Sequence, residues 1–202
     1  VPNGDTGAGT SVGQRSVRLA DLCPRSTKFF SMPKPDFSVA IPSDLNTQIV
    51  GHLIREDRQE DLCFALWAHS QGKRRSSALI NRVILPVDGD RQIHGNVSFN
   101  PQYFERVCAI ACRAEMGIAF LHSHPAPGWQ ATSRDDVIAE RRMASAVEAL
   151  TGLPLVGLTC GSDGVWSARF WQSKKAETKA DHICWCRSVR TVGENLSVSF
   201  NE

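Results

Sequence analysis

Two histidines separated by one residue are the feature of this sequence with the clearest chemical potential. His122 and His124 follow the apolar run 117–121, which predicts a buried strand that ends at this point. Side chains two residues apart on a strand project to the same side, so both imidazoles are expected to face one point. After a loop rich in Pro and Gly, the chain enters a predicted helix whose first turn carries Asp135 and Asp136. Two imidazoles and one carboxylate form a Zn²⁺ site with a fourth position left for water, as a hydrolase requires.

Each part of this pattern also has a purely structural explanation. Ser133 and Asp136 have the spacing of a capping box, in which each side chain bonds the backbone N–H of the other residue. An acid in a first helical turn also interacts favourably with the helix dipole. A single His-x-His on a strand can arise by chance, but His-Ser-His-Pro at a strand end followed by Ser-x-x-Asp is hard to explain that way. The combination therefore predicts a metal site.

This combination resembles the signature of the JAMM zinc metalloproteases, also called the MPN+ or JAB family. That signature has an upstream catalytic Glu, then His-x-His, about ten residues and an Asp, with a Ser three positions before the Asp. The resemblance covers residues 37 to about 171 and is closest to bacterial, deubiquitinase-like members. It implies that His122 and His124 are zinc ligands and that Ser133 helps to hold the tetrahedral oxyanion. It also implies an MPN/JAB-like fold with a central mixed β-sheet flanked by helices.

The position of the aspartate departs from the usual spacing of the family. Ten intervening residues after His124 lead to Asp135, whereas the Ser-x-x-Asp pattern leads to Asp136 with eleven. The helical face of Asp136 carries Ala139, Met143, Ala146, Val147 and Leu150. The face of Asp135 is more polar and carries Ile138, Arg142 and Ser145. Because an apolar helix face points to the core, we expect Asp136 to be the ligand, with Asp135 as the alternative.

The upstream glutamate is expected beside the start of a strand. In the family it stands three positions before a small residue within a short apolar run, and Glu60 has this relation to Cys63. The resemblance implies that Glu60 takes a proton from the zinc-bound water and delivers it to the leaving amine. Asp61 also adjoins the strand and remains an alternative, with a side chain one methylene shorter.

The rest of the pattern predicts a single domain of alternating strands and helices. Strands are predicted at residues 37–41, 62–67, 76–86, 96–99, 117–121, 153–160, 165–171 and 196–200, and helices are predicted to begin near residues 43, 101 and 134. This mixture indicates the α/β (α+β) class. Residues 1–16 are rich in Gly, Ser and Thr and predict a flexible N-terminal tail, which leaves residues 17–202 as one domain.

Composition and charge exclude several classes of protein. Of the 202 residues, 42% are hydrophobic and 22% are charged, which excludes a fully disordered chain. Lys+Arg 23 and Asp+Glu 21 give a net charge of +2, which gives no reason to expect nucleic-acid binding. No apolar run approaches the roughly 18 residues needed to cross a bilayer, and no signal peptide is visible. We therefore expect a cytoplasmic protein with no nucleic-acid or membrane partner.

Seven cysteines do not predict a disulfide framework in a chain of this length. Cys108 and Cys112 lie four residues apart on a predicted helix, and His182, Cys184 and Cys186 cluster near the C-terminus. These five residues are candidates for a second, structural zinc. Their spacings match no common zinc module, however, and a free cysteine is commonly a small buried hydrophobe.

The resemblance implies a zinc-dependent isopeptidase or peptidase. It would cleave after the C-terminal tail of a ubiquitin or ubiquitin-like protein by attack of a zinc-activated water. The expected partners are that protein, its conjugates and ubiquitin-like activating or conjugating enzymes. Trp129, in the loop between the predicted ligands, either lines the substrate channel or packs against the domain. Two alternatives stay open: a non-catalytic MPN-type interaction module, and a metal-dependent hydrolase of another substrate class.

Overall fold

The computed structural model describes residues 37–72, 75–94, 96–172, 182–193 and 197–200. In these ranges the helices are α1 (Ser43–Leu53), α2 (Pro101–Ala114) and α3 (Arg134–Thr151). The strands are β1 (Phe37–Pro42), β2 (Leu62–Gln71), β3 (Ser76–Ile84), β4 (Arg91–His94), β5 (Asn96–Phe99), β6 (Gly117–Ser123), β7 (Val156–Cys160), β8 (Trp166–Gln172), β9 (His182–Trp185), β10 (Ser188–Val192) and β11 (Ser197–Phe200). In the described part of the chain, no helix combines the length and the apolar character that a membrane span requires.

Strands β2 and β6 lie side by side in the interior of a nine-stranded mixed sheet. The strand order is β11-β10-β1-β3-β2-β6-β7-β8-β9, and β4 and β5 form a separate antiparallel pair. Strand β1 is parallel to β3 and β10, and β6 is parallel to β7. The sheet curls, because Cys186 N donates to Ala168 O on β8 and Arg187 N donates to Phe37 O on β1, each at 2.9 Å. The predicted class, a mixed sheet flanked by helices, is confirmed.

Alternate residues of β2 and β6 face two separate cores. The core under α2 and α3 contains Leu62, Phe64, Leu66, Ile118 and Phe120 from these strands. The core under α1 contains Cys63, Ala65, Trp67, Ala119 and Leu121. Each large apolar side chain buried in this way contributes about 1.5–3 kcal/mol to folding. The same alternation determines which side the polar residues at the strand ends face. His122 is on the side of the core under α2 and α3, and Asp61 is on the side of the core under α1.

Three short strands, β4, β9 and β10, are not predicted from the sequence. Each has only four or five residues, too few to show a clear alternation. Strand β10 also depends on a partner that is distant in the chain, as where Val39 of β1 pairs with Val189, whereas β4 and β9 pair with the neighbouring strands β5 and β8. The strand predicted at 153–160 begins only at Val156. The expected tail at residues 1–16, the first part of the domain at 17–36 and the polar segment 174–181 lie outside the described residues.

Candidate metal centre

Strand β6 brings two histidines to one end of the sheet. His122 pairs with Leu62 of β2 and with Thr159 of β7, so its backbone is held from both sides. His124 follows the strand, and its N–H donates to Cys160 O at 2.9 Å, which extends the contact with β7. The two imidazole rings lie 5.0 Å apart between centroids. The side chain of His122 is 3% exposed and that of His124 is 14% exposed, so both rings are largely shielded from water.

The first turn of α3 supplies the carboxylate. Ser133 is the N-cap, and its Oγ accepts from Asp136 N at 3.1 Å. Asp136 Oδ2 accepts in return from Ser133 N at 2.7 Å, which completes the predicted capping box. These two bonds fix the Asp136 side chain against the helix end. Asp135, the alternative ligand, is exposed on the outer part of the same turn.

His122, His124 and Asp136 converge on one point. Nε2 of His122 lies 3.2 Å from Oδ1 of Asp136, and Nε2 of His124 lies 3.3 Å from Oδ2. One ligand atom from each residue lies within 4.8 Å of the others, and among the described residues no second group of this kind occurs. The three side chains could therefore hold a metal ion. Two imidazole nitrogens and one carboxylate oxygen fit the donor set of a zinc site with an open fourth position.

The carboxylate of Asp136 and the imidazole of His124 stabilise each other's charged forms. Burial opposes ionisation of Asp136, but its hydrogen bonds with His122 and His124 outweigh burial and hold the pKa of the carboxyl well below its usual range. The hydrogen bond with Asp136 raises the pKa of His124, against the opposing effect of burial. Asp136 is therefore an anion at any ordinary pH. His124 retains a proton to higher pH than a free histidine does.

Metal binding is expected to strengthen as the pH rises. A metal must displace the proton of His124, whose pKa is raised, whereas Asp136 has none to lose. The apparent affinity for Zn²⁺ should rise by at least about tenfold per pH unit while His124 is protonated, because any proton on His122 must be displaced as well. Chelator competition across this range measures the slope, and an affinity that does not change with pH contradicts the prediction.

The metal-free protein should show the opposite trend in stability. A histidine whose folded pKa is raised stabilises the fold below its unfolded pKa, and this contribution is lost as the pH rises through the folded value. The contribution of His124 is thus fully present below about pH 6.5. Urea unfolding of the metal-free protein over the same pH range serves as the control for the binding measurement.

Glu60 lies beside the metal group. It lines the same cavity as His122 and Asp136. Burial raises the pKa of Glu60, and the positive charges of His124 and His122 oppose this effect. The side chain is about half-buried, so it can exchange protons with a molecule in the cavity. A glutamate beside the two histidines is the arrangement that the sequence motif predicts.

Asp61, the alternative to Glu60, is buried among cationic side chains instead. Its carboxylate lies 2.7 Å from Arg91 Nε and 3.4 Å from Arg55 NH1, and His52 Nε2 is 3.6 Å away. It also accepts from Leu62 N at 2.8 Å. The structure therefore brings Glu60, and not Asp61, to the metal group.

A cavity of about 680 Å³ adjoins the metal group. Its polar lining includes residues of the metal group and their neighbours: Glu60, His122, Ser133, Asp135 and Asp136. Apolar side chains form most of the remaining wall: Leu62, Val97, Phe99, Phe104, Phe120 and Met143. The β4–β5 hairpin contributes all four residues of β5 to this lining. The cavity is large enough for several residues of an extended peptide.

The loop that connects His124 to α3 is held by the neighbouring β7–β8 turn. Gly128 N donates to Asp163 Oδ2 at 2.9 Å, and Gln130 donates its side-chain amide to three carbonyl groups within the loop. Trp129 is 42% exposed, and its ring lies 5.1 Å from that of Trp185 on β9. Trp129 therefore packs on β9, and it lines neither described cavity that adjoins the histidines.

A buried ion pair beneath the histidines is the main feature that the sequence does not reveal. Glu140 of α3 and Arg169 of β8 are both 0% exposed, and Arg169 Nε donates to Glu140 Oε2 at 2.9 Å. Trp171 Nε1 donates to the same carboxylate at 2.8 Å. Arg169 also donates to Thr159 Oγ1 at 2.8 Å, and Thr159 Oγ1 lies 3.3 Å from His122 Nε2. The network therefore connects α3, two strands and a predicted metal ligand.

Gly157 provides the space for this ion pair. A Cβ at Gly157 would lie 2.5 Å from Glu140 Oε2, which is too close for any side chain. Glu140 itself stands one turn after Asp136 on a helix face that buries Met143 and Val147. A charged residue within an apolar stripe is the signal by which the sequence could have indicated a buried partner.

The cysteines do not support the second zinc. Cys108 belongs to the core under α2 and α3, and Cys112 Sγ contacts Leu150 O there at 3.8 Å. Cys186 belongs to the other core, under α1, and Cys184 packs against it. Burial raises the pKa of the Cys108 thiol to about 12, which keeps it neutral. The side chain of His182 lies outside the described residues.

Comparisons with known proteins identify no family for this chain. No protein-family model matches the chain, and no curated protein sequence matches it. A function must therefore be inferred from the residues and geometry of the metal centre.

Proposed function

We propose that this chain is a JAMM-type zinc isopeptidase or peptidase that cleaves after the C-terminal tail of a ubiquitin or ubiquitin-like protein. The observation that carries the proposal is the convergence of His122, His124 and Asp136 beside a cavity that Glu60 also lines. A metal group alone fits many roles. A half-buried carboxylate beside it supplies the proton acceptor that hydrolysis requires.

The donor set favours Zn²⁺ as the metal. Two histidines and one carboxylate are a common ligand set of catalytic zinc, whereas Mg²⁺ and Ca²⁺ prefer oxygen donors alone. A zinc ion bound here would supply Lewis-acid polarisation of the substrate carbonyl and a lowered pKa for a coordinated water. His122 and His124 would hold it through Nε2, and Asp136 through its carboxylate.

Glu60 would move the proton. As the water oxygen attacks the carbonyl carbon, Glu60 accepts a proton from it, and the C–N bond breaks when Glu60 passes that proton to the leaving amine. The burial that raises the pKa of Glu60 also suits this exchange, since it brings the proton affinity of the carboxylate closer to neutral pH.

Ser133 would stabilise the negative charge that develops on the carbonyl oxygen. Its Oγ already accepts from Asp136 N, so the hydroxyl hydrogen is free of that bond and can donate into the cavity. A positioned donor of this kind acts where charge develops in the transition state. Ser133 would therefore serve both the helix cap and the reaction.

The shape of the cavity supports an extended peptide as substrate. All of β5 lines it, and β5 belongs to a two-stranded sheet to which a peptide can add as a further strand. The apolar wall that includes Phe99 and Phe104 can receive side chains on one side of that peptide. Ubiquitin-like activating or conjugating enzymes are proposed as further partners, because they handle the same peptide tails.

Cleavage of ubiquitin and ubiquitin-like fusions tests the proposal. The purified protein, reconstituted with Zn²⁺, is incubated with fusions that carry a C-terminal peptide or a lysine-linked extension, with and without a zinc chelator. We expect chelator-sensitive cleavage after the tail. Absence of cleavage with every fusion contradicts the substrate class, and absence of zinc uptake favours a non-catalytic interaction module.

Replacing Glu60 by glutamine should lower the cleavage rate by at least about 100-fold without loss of zinc, because general acid–base catalysis is removed while the ligands remain. The control is Glu148→Gln, the same chemical change near the C-terminal end of α3, which should leave the rate unchanged. A Glu60→Gln variant with full zinc and a rate near wild type contradicts the role of Glu60.

A further inference from the structure

Two hydrogen bonds hold the backbone next to Glu60 against the segment between the histidines. Ser123 N donates to Asp61 O at 3.0 Å, and Asp61 N donates to Ser123 Oγ at 3.0 Å. Both residues are buried, with exposures of 4% and 1%. Ser123 stands between His122 and His124, so these bonds place Glu60, the residue before Asp61, beside the metal ligands.

The Asp61 side chain adds a second set of contacts. Its carboxylate accepts from its neighbour Leu62 N and binds Arg55, which follows α1, and Arg91, which begins β4. Each of these bonds restrains Asp61 from a different element. The residue is thus held by two strands, a helix end and the hairpin that lines the cavity.

A buried carboxylate at this position needs an explanation. The next residues on the same side of β2, Cys63 and Ala65, are apolar members of the core under α1. An apolar residue at position 61 would continue that core without the desolvation cost of a buried ion pair. Stability of the core alone therefore does not account for Asp61.

We propose that Asp61 and Ser123 are positioning residues that hold Glu60 at the metal centre, and that Arg91 connects them to the β4–β5 hairpin. This inference rests on the proposed role of Glu60 as the proton acceptor. Glu60 stands at the end of the loop between α1 and β2, outside both elements. The hydrogen bonds between Asp61 and Ser123 restrain this end of the loop. Through Arg91, the hairpin that would bind the peptide is joined to Asp61 as well.

Asp61→Asn and Ser123→Ala test this role separately. The first replaces an anion facing two arginines, and the second removes one oxygen atom. The control is Ser188→Ala, which removes another buried serine hydroxyl, one that donates to Ser38 Oγ where β10 meets β1. Three properties are measured for each protein: the affinity for Zn²⁺, the crystal structure of the zinc-loaded form, and kcat and KM with the fusion that the wild type cleaves best.

Both variants should bind Zn²⁺ within about threefold of wild type, since the hydrogen bonds of Asp61 and Ser123 join them to each other, to Leu62 and to the two arginines and not to a ligand side chain. Their crystal structures should show the Glu60 carboxylate displaced by about 1 Å, with kcat lowered by about 10- to 100-fold and KM little changed. The Ser188→Ala protein should match wild type in all three measurements.

Glu60 in its wild-type position in both variant crystals overturns the proposal, and so does a loss of zinc, which would mean general collapse of the site. The crystal structures decide the matter without any activity. If the wild type cleaves no fusion, the proposed function fails, but a displaced Glu60 still establishes the positioning role.

Discussion

Replacing Asp136 by asparagine is expected to weaken zinc binding by about 100- to 1,000-fold, the share of the binding free energy that one of three ligands supplies. Asp136 contacts both histidines at 3.2–3.3 Å through separate oxygens. An amide brings no negative charge and is a poor ligand for zinc. It keeps a side-chain oxygen, however, which can still accept from Ser133 N and preserve the helix cap.

The neighbouring Asp135→Asn provides the matched control. It makes the same chemical change in the same helical turn, on an exposed residue outside the metal group. Its zinc affinity should remain within about threefold of wild type. Metal analysis of the purified proteins and competition with a chromogenic chelator measure both variants. A larger loss of zinc affinity in Asp135→Asn than in Asp136→Asn would show that Asp135, and not Asp136, is the ligand.

Removing the carboxylate of Glu140 is expected to lower the free energy of unfolding by about 3–5 kcal/mol. Arg169 is 0% exposed, so Glu140→Ala leaves its charge in the core without a counter-ion. Trp171 Nε1 loses its acceptor in the same substitution. Because Arg169 also binds Thr159, which contacts His122, zinc binding should weaken as well.

Urea unfolding of the metal-free protein measures this loss. An exposed pair supplies the control: Asp57 contacts Arg55 at 2.6 Å, but the two side chains are 40% and 31% exposed. Asp57→Asn should therefore cost no more than about 1 kcal/mol. The double variant Glu140→Leu with Arg169→Met should recover much of the stability, because no buried charge is left unpaired. Equal losses in Glu140→Ala and Asp57→Asn would contradict the prediction.

The metal group was predictable because local geometry builds most of it. The period of a strand places His122 and His124 on one side, and the cap spacing of Ser133 and Asp136 orients the carboxylate. The choice between Glu60 and Asp61 also lies within reach of the sequence. Counting back by two from Leu62, which shares a core with Phe64, places Glu60 on the side of His122.

The buried ion pair and strand β10 escaped prediction because they depend on contacts between distant segments. Glu140 and Arg169 belong to a helix and a strand, and nothing local in either element names the other as its partner. The same applies to β10, whose short segment becomes a strand because β1 and β11 lie on either side of it. The link from Arg91 to Asp61 likewise follows from the placement of the β4–β5 hairpin over the end of β2.

One oxygen of Asp136 is shared between the helix and the metal site. Oδ2 accepts from Ser133 N at 2.7 Å and faces His124 Nε2 at 3.3 Å. A carboxylate oxygen has two lone pairs, so the backbone bond leaves one for an ion. The helix cap therefore immobilises this ligand before any metal arrives. The site is pre-organised, and an incoming ion loses little affinity to the entropy of ordering its carboxylate.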